Sequence, residues 1–163
     1  YPIFVDLTNK DCLVVGAGQV GLRKIRSLLD SGARSVLVVD THAPGGSFDE
    51  LLLHPSLVFE RREFDESDLD GKALVIASTS DEETNWRIST LCAERNIFCN
   101  IVDQPEKCSF IVPAMFTRGD LTLAVSTGGS SPALAKRIRH DLDDLFGNEY
   151  GQFLVFMSLL RPL

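Results

Sequence analysis

The sequence predicts an α/β fold built on a parallel sheet, and three observations predict it. Short apolar runs without alternation recur at 11–15, 35–40, 73–77 and 97–102, the mark of strands buried on both faces. Segments with helical spacing of apolar residues separate them. A glycine-rich turn, Gly16-Ala17-Gly18-Gln19-Val20-Gly21, joins the first run to the first helix. Strands and helices alternating at this spacing make βαβ units with right-handed crossovers.

The first strand, 11–15, ends at Gly16. The helix over 20–29 sets Val20, Ile25, Leu28 and Leu29 on one side, and Ser31-Gly32 stops it. A second buried strand covers 35–40. Residues 41–47 (THAPGGS) form a Pro- and Gly-rich loop, 48–53 a short helix and 57–60 a strand. The strand at 73–77 leads into Ser78-Thr79-Ser80-Asp81, which caps a helix reaching residue 95, with Trp86, Ile88, Leu91 and Cys92 turned inward. The run at 97–102 is the next strand. After Pro113 the pattern changes. Residues 114–117 and 121–127 read as two strands around a Gly119-Asp120 turn, and the second alternates Leu121, Leu123 and Val125 with Thr122, Ala124 and Ser126. Gly128-Gly129-Ser130-Ser131-Pro132 then opens a helix, with Ser131 as N-cap and Pro132 in its first turn. Leu134, Ile138, Leu142 and Leu145 make one apolar stripe on it, and Gly147 ends it. Residues 148–163 begin a further helical segment.

Composition narrows the function. The 163 residues are 44% apolar and 24% charged, with 16 Lys and Arg against 23 Asp and Glu, a formal charge of −7. That apolar fraction suffices for a packed core and excludes wholesale disorder. The acidic balance argues against a protein that coats nucleic acid or an anionic membrane. No apolar run reaches the roughly 18 residues of a membrane span, and the N-terminus lacks a secretory pattern. Cys12, Cys92, Cys99 and Cys108 show no CxxC pairing and read as free thiols of a cytoplasmic protein rather than a zinc site. His42, His54 and His140 lie in unrelated segments, so no metal site is read from them.

The glycine turn matches GxGxxG, and its context makes the match informative. It follows a buried strand, opens a helix and precedes Asp40, which ends the next strand 19 residues past Gly21. Gly16 allows the tight turn, Gly18 lets the backbone approach a pyrophosphate, and Gly21 lets helix and strand pack closely. The helix N-terminus, with Gln19 and Val20, offers free N–H groups to the phosphates. Asp40 would accept from the adenosine ribose hydroxyls and repel a 2′-phosphate, so the cofactor expected is NAD rather than NADP. This is a Rossmann-type parallel sheet with helices on both faces. Thr79 follows the strand at 73–77, at the carboxyl end where such sheets bind ligands, and is a second candidate contact to NAD. Asn85 falls on the first turn of the next helix, where a surface place is equally open. Asp103 ends the strand at 97–102 and points toward the same crevice; partly desolvated, it could serve as a general base, and a turn role is the alternative.

Five stretches carry a resemblance to a known family: YPIFVDL (1–7), VVGAGQVGLRK (14–24), NIVDQPEKCSF (100–110), Pro113-Ala114 and RGDLTLAVSTGGSSPALA (118–135). The chain resembles the precorrin-2 dehydrogenase family, the N-terminal module of siroheme synthases and its free-standing relatives. The resemblance covers residues 1–145. It implies NAD-dependent oxidation of precorrin-2 to sirohydrochlorin and, in some members, insertion of ferrous iron into the product, or of cobaltous ion. It implies a catalytic role for Asp103 and a substrate-side place for Ser131, and it implies a homodimer. Many relatives have three consecutive glycines and an Ala where this chain has Gly16-Ala17-Gly18 and Gly21, and both forms are expected to keep the same backbone geometry. Full-length members continue into a further helical domain over the cleft, of which 148–163 reads as the start.

Precorrin-2 carries many carboxylates, so an acidic protein needs local cations to hold it. Arg118, Lys136, Arg137, Arg139 and His140 supply a basic cluster, with Lys136, Arg139 and His140 on one helical face. The competing reading is a solvated face balanced by Asp141, Asp143 and Asp144. Arg118, Ser131, Lys136 and Arg139 are therefore the candidate substrate-binding residues, while Arg23, Lys24 and Arg26 are candidate phosphate or substrate neighbours. The organisation expected is an NAD-binding domain over 1–113, a hairpin-plus-helix dimerisation and substrate region over 114–147, and a truncated helical tail over 148–163. A symmetric homodimer would cover the apolar hairpin and the helix stripe. Two other classes compete with the enzyme: an NAD(H)-sensing regulatory module without catalysis, and a tetrapyrrole-binding partner protein.

Overall fold

A computed structural model describes residues 1–43 and 45–160. Two compact units divide the chain, Tyr1–Ile111 and Val112–Leu163. In the first, β1 (Asp11–Val15), β2 (Ser35–Asp40), β3 (Leu57–Arg61), β4 (Lys72–Ala77) and β5 (Phe98–Ile101) form one parallel sheet in the order β3-β2-β1-β4-β5. The helices are α1 (Gln19–Asp30), the short α2 (Asp49–Leu52) and α3 (Glu82–Glu94). Side chains of β1 alternate between two cores. Cys12 and Val14 pack with Ile25, Leu28 and Leu29 of α1, and Leu13 and Val15 with Ile88 and Cys92 of α3. A central strand with a helix layer on each face must be apolar throughout, which is why its sequence shows no alternation. β1 lies between β2 and β4, so successive connections leave it in opposite directions and open a crevice at its carboxyl end.

One expected inward residue is placed otherwise. Trp86 is 58% exposed, with the Lys107 ammonium 5.2 Å from its ring centroid. The buried track on α3 runs through Asn85, Ile88 and Cys92, spaced three and four apart, and Trp86 lies one residue off it. Asn85 takes the inward place because its polar groups are satisfied there. Cys12, Cys92 and Cys99 are buried thiols, and burial pushes the Cys12 thiol up to about 11, which keeps it protonated and inert.

The outer margin of β5 is closed by the 108–109 segment, through its side chains and one amide, rather than by a strand. The Ser109 amide donates to the Cys99 carbonyl at 2.9 Å, and the Cys99 amide donates to Ser109 Oγ at 2.7 Å. The Ile101 amide donates to Cys108 Sγ at 3.1 Å, and Asn100 Nδ2 to the Phe110 carbonyl at 3.0 Å.

Asp68 is the unit's one buried carboxylate among the described residues, at 6% exposure. Arg62 holds it with two bonds, 2.6 and 2.8 Å, and the Asp65 amide adds a third at 2.9 Å. Burial by itself would raise its pKa; the Arg62 and Asp65 hydrogen bonds outweigh that and leave it below the ordinary value. A depressed carboxyl contributes stability above its unfolded pKa and loses it as pH falls through the folded one. Asp68→Asn is therefore expected to cost about 2 kcal/mol at about pH 7, with the difference shrinking toward about pH 3. Urea unfolding midpoints of parent and variant at the two pH values check this.

In the second unit, β6 (Ala114–Arg118) and β7 (Leu121–Val125) pair antiparallel around Gly119, which has φ +59. α4 (Pro132–Leu145) starts as expected: Ser131 Oγ accepts from the Leu134 amide at 3.3 Å. The expected apolar stripe is not its packed face, however. Leu134, Ile138 and Leu145 are exposed, while Ala135 is buried and Arg139, Leu142 and Asp143 are half-buried. The reason is a long-range pairing. Arg118 Nη2 donates to Asp143 Oδ1 at 2.5 Å and Arg139 Nη1 to Asp143 Oδ2 at 3.3 Å, so the Asp143 side of α4 faces the hairpin. α5 (Asn148–Leu160) crosses the hairpin turn backbone to backbone: a Cβ on Gly151 would lie 2.7 Å from the Arg118 carbonyl oxygen. Phe153, Phe156 and Leu159 of α5 are exposed. Among the described residues no helix is long and apolar enough to cross a membrane.

Candidate functional site

The crevice at the carboxyl end of β1 is a cleft of about 850 Å³ within the first unit. Gly16, Gly18, Gln19 and Val20 line it from the β1–α1 turn, Asp40 from the end of β2, Thr79 from the end of β4 and Asp103 from the end of β5. Residues far apart in the chain thus meet because parallel strands deliver all their carboxyl ends to one edge.

The glycine turn is held on both sides. The Gly16 amide donates to the Val39 carbonyl at 2.9 Å, and Ser78 Oγ donates to the Gly16 carbonyl at 2.8 Å. Gly16 has φ +98, and a Cβ there would sit 2.6 Å from the Ser78 carbonyl oxygen. Gly21 is closer still, since a Cβ would lie 2.0 Å from the Gly16 carbonyl oxygen. The expectation that Ala and Gly at this position share one backbone geometry does not hold for this turn; a methyl group at 21 requires the turn to move. Gly18 differs. It is the N-cap of α1, and its Cβ would meet nothing within 4 Å. The open side of Gly18 forms a cradle at the uncapped start of α1, whose first turn carries no acidic residue. A pyrophosphate fits there, against main-chain N–H groups and the positive end of the helix.

Asp40 does more than its expected role requires. Its Oδ2 accepts from the Ala17 amide at 2.6 Å and its Oδ1 from the His42 amide at 2.8 Å. The carboxylate therefore shapes the glycine turn and still keeps unused lone pairs.

Thr79 is enclosed by its neighbours. Its amide donates to Asn85 Oδ1 at 3.2 Å, and its hydroxyl lies 2.8 Å from the same oxygen and 2.9 Å from the Asp81 carbonyl. Asn85 Nδ2 donates to the Thr79 carbonyl at 2.9 Å. Asn85 and Ser78 both line the cleft, and sequence reasoning missed both roles. For Asn85 the spacing to Ile88 and Cys92 was the available signal. For Ser78 there was none beyond its place after β4.

Asp103 has φ +62, a left-handed conformation that Asp and Asn tolerate better than other residues with a Cβ. It is exposed and makes no hydrogen bond or ion pair among the described residues, so it is solvated rather than partly desolvated as expected. Arg23, Lys24 and Arg26 do not line the cleft. Burial, together with the charge of Arg23, lowers the Lys24 pKa.

Arg118, Ser131, Lys136 and Arg139 belong to the second unit. Arg118 and Arg139 share Asp143, and Arg137 pairs with Asp141 at 2.9 Å. Lys136 is exposed and has no ion-pair partner among the described residues. Most of the basic cluster is thus ion-paired within the unit, and Ser131 serves as a helix cap.

A doubly wound parallel sheet with a glycine turn, a free helix N-terminus and an acidic residue ending β2 defines a dinucleotide-binding protein of the Rossmann class. Comparison with known proteins agrees: residues 3–114 match the model of a putative NAD(P)-binding family, and residues 118–145 that of the sirohaem biosynthesis protein central domain. A solved structure described as SirC, precorrin-2 dehydrogenase, is similar with a TM-score of 0.79 and 30% identity, covering 97% of this chain and 77% of that one. The siroheme synthases of Enterobacter sp. (strain 638) and Thioalkalivibrio sulfidiphilus are 43% and 41% identical over 98% and 99% of this chain. The chain spans about a third of their length, 35% and 32%. It belongs to the precorrin-2 dehydrogenase family of siroheme biosynthesis.

Proposed function

We propose that this protein oxidises precorrin-2 to sirohydrochlorin with NAD. The observation that carries this reading is the placement of Asp103 in the cleft that holds the glycine turn and Asp40. Asp40 ends β2 and marks the adenosine side; Asp103 ends β5, across β1 from it, and so stands on the nicotinamide side. When bound, the nicotinamide ring supplies a hydride acceptor. The substrate then loses one hydride and one proton, giving sirohydrochlorin, NADH and a proton. Asp103, exposed at the cleft and without an internal partner, takes the proton. The same carboxylate can accept pyrrole N–H protons if ferrous or cobaltous ion is inserted as a second substrate. Lys136 meets a substrate carboxylate. Arg118 and Arg139 keep further N–H donors beyond those given to Asp143, and Ser131 lies at the start of the helix that carries Lys136 and Arg139. The exposed Leu134, Ile138 and α5 side chains suit a homodimer, in which a second copy covers them. Free buried thiols suit the reducing cytoplasm.

Anaerobic incubation of the whole protein with precorrin-2 and NAD or NADP, followed by sirohydrochlorin absorbance, tests the reading. Turnover with NAD at least tenfold faster than with NADP at equal concentration is expected; NADP preference overturns the role given to Asp40. NADH binding without turnover would mark a sensing module instead, and sirohydrochlorin binding independent of NAD would mark a tetrapyrrole-holding partner. Subsequent addition of ferrous or cobaltous ion reads the second activity separately.

A further inference from the structure

Asn85 is a polar side chain on the inward face of α3, 4% exposed, in a track otherwise occupied by Ile88 and Cys92. Every polar atom of its amide is used, and all on one residue: Oδ1 receives the Thr79 amide and hydroxyl, and Nδ2 reaches the Thr79 carbonyl. Buried amides that satisfy themselves fully on one neighbour act as clamps. The Asp81 amide adds a bond to Thr79 Oγ1 at 3.2 Å. The polar groups of Thr79 are thereby consumed inside the protein, although Thr79 lines the cleft. The next residue is in the opposite state. Ser80 is exposed, lines the cleft, and makes no hydrogen bond among the described residues. A clamp on one residue fixes the direction of the next, because the peptide between them is planar and only two backbone torsions separate their side chains.

We propose that Asn85 is the positioning residue of the dinucleotide site, holding Thr79 so that the Ser80 hydroxyl makes the contact to the nicotinamide half of the cofactor. This rests on the dinucleotide reading of the cleft and adds two residues to it. It also moves the cofactor contact from Thr79, whose hydroxyl is already engaged, to Ser80.

The test uses the whole protein and NADH, with Asn85→Leu, Ser80→Ala and the double variant. Leucine is neutral and keeps the same branching and number of side-chain heavy atoms, so no new charge confronts the phosphates. NADH titrations are expected to give a Kd about tenfold higher for Asn85→Leu and about threefold higher for Ser80→Ala. Once the clamp is gone Ser80 is no longer aimed, so the double variant binds about as Asn85→Leu does. Hydrogen exchange of the 78–81 amides is expected to quicken in Asn85→Leu and to stay at the parent rate in Ser80→Ala. A purely structural Asn85 would lower the melting temperature but leave the two effects on Kd additive. Full additivity, or an unchanged Kd in folded Asn85→Leu, overturns the proposal. If Asn85→Leu does not fold, the exposed Ser80→Ala still decides: an unchanged Kd overturns it. Failure of the parent to bind NADH overturns the dinucleotide reading itself, and the inference with it.

Discussion

Asp103→Asn is expected to leave a folded protein that binds NADH as the parent does and oxidises precorrin-2 at least a hundredfold more slowly, the lower end of what a positioned proton acceptor contributes. Asparagine is the informative replacement. Position 103 has φ +62, where Asn is tolerated nearly as well as Asp and Ala is not, so loss of activity cannot be traced to a distorted loop. The side chain is exposed with no internal partner, so its exchange removes no contact of the fold. Single-turnover absorbance changes with saturating NAD measure the chemical step. A rate within threefold of the parent would remove Asp103 from the mechanism and leave proton removal to water.

The second large effect separates two glycines that one motif places side by side. Gly16→Ala forces a methyl group to within 2.6 Å of the Ser78 carbonyl oxygen at a φ of +98, so the turn must open. The expected result is a melting temperature roughly 2–12 °C lower, from about 1–3 kcal/mol of strain, together with at least a tenfold loss of NADH affinity. Gly18→Ala meets nothing within 4 Å, so the melting temperature should hold. Its methyl group instead fills the cradle at the start of α1, and affinity should fall about tenfold or more, some 1.4 kcal/mol or above. Thermal melts and NADH titrations on both variants read the two effects independently. Equal affinity of Gly18→Ala and parent would take the pyrophosphate out of that cradle.

The first unit was legible in the sequence because its determinants are local. A five-residue apolar run such as Asp11–Val15 specifies a doubly covered strand without reference to anything distant, and the glycine turn specifies its own backbone. Where a partner elsewhere in the chain decides, the sequence was silent. The period of Leu134, Ile138, Leu142 and Leu145 is helical, yet which face of α4 packs is set by Asp143 meeting Arg118, 25 residues away. Whether the basic cluster is free to bind a polyanion or balanced by its neighbours stays open in the sequence for the same reason: Asp143 pairs with both Arg118 and Arg139, and Arg118 lies 25 residues away. Asn85 leaves a surface place and a cleft place equally open until its three bonds to Thr79 are known, because a polar residue becomes a core residue only through its partners.

The side-chain closure of β5 bears on how the molecule avoids its own kind. An unpaired strand margin offers amides and carbonyls to any extended chain that passes, the route by which sheets merge into polymers. Here Cys108 and Ser109 occupy those groups with a thiol and a hydroxyl, so no sixth strand from another molecule can zip on without first unseating them. The opposite margin, β3, carries Glu60 and Arg61 and resists merging by charge. With both flanks guarded, the sheet is expected to stay at five strands at any protein concentration.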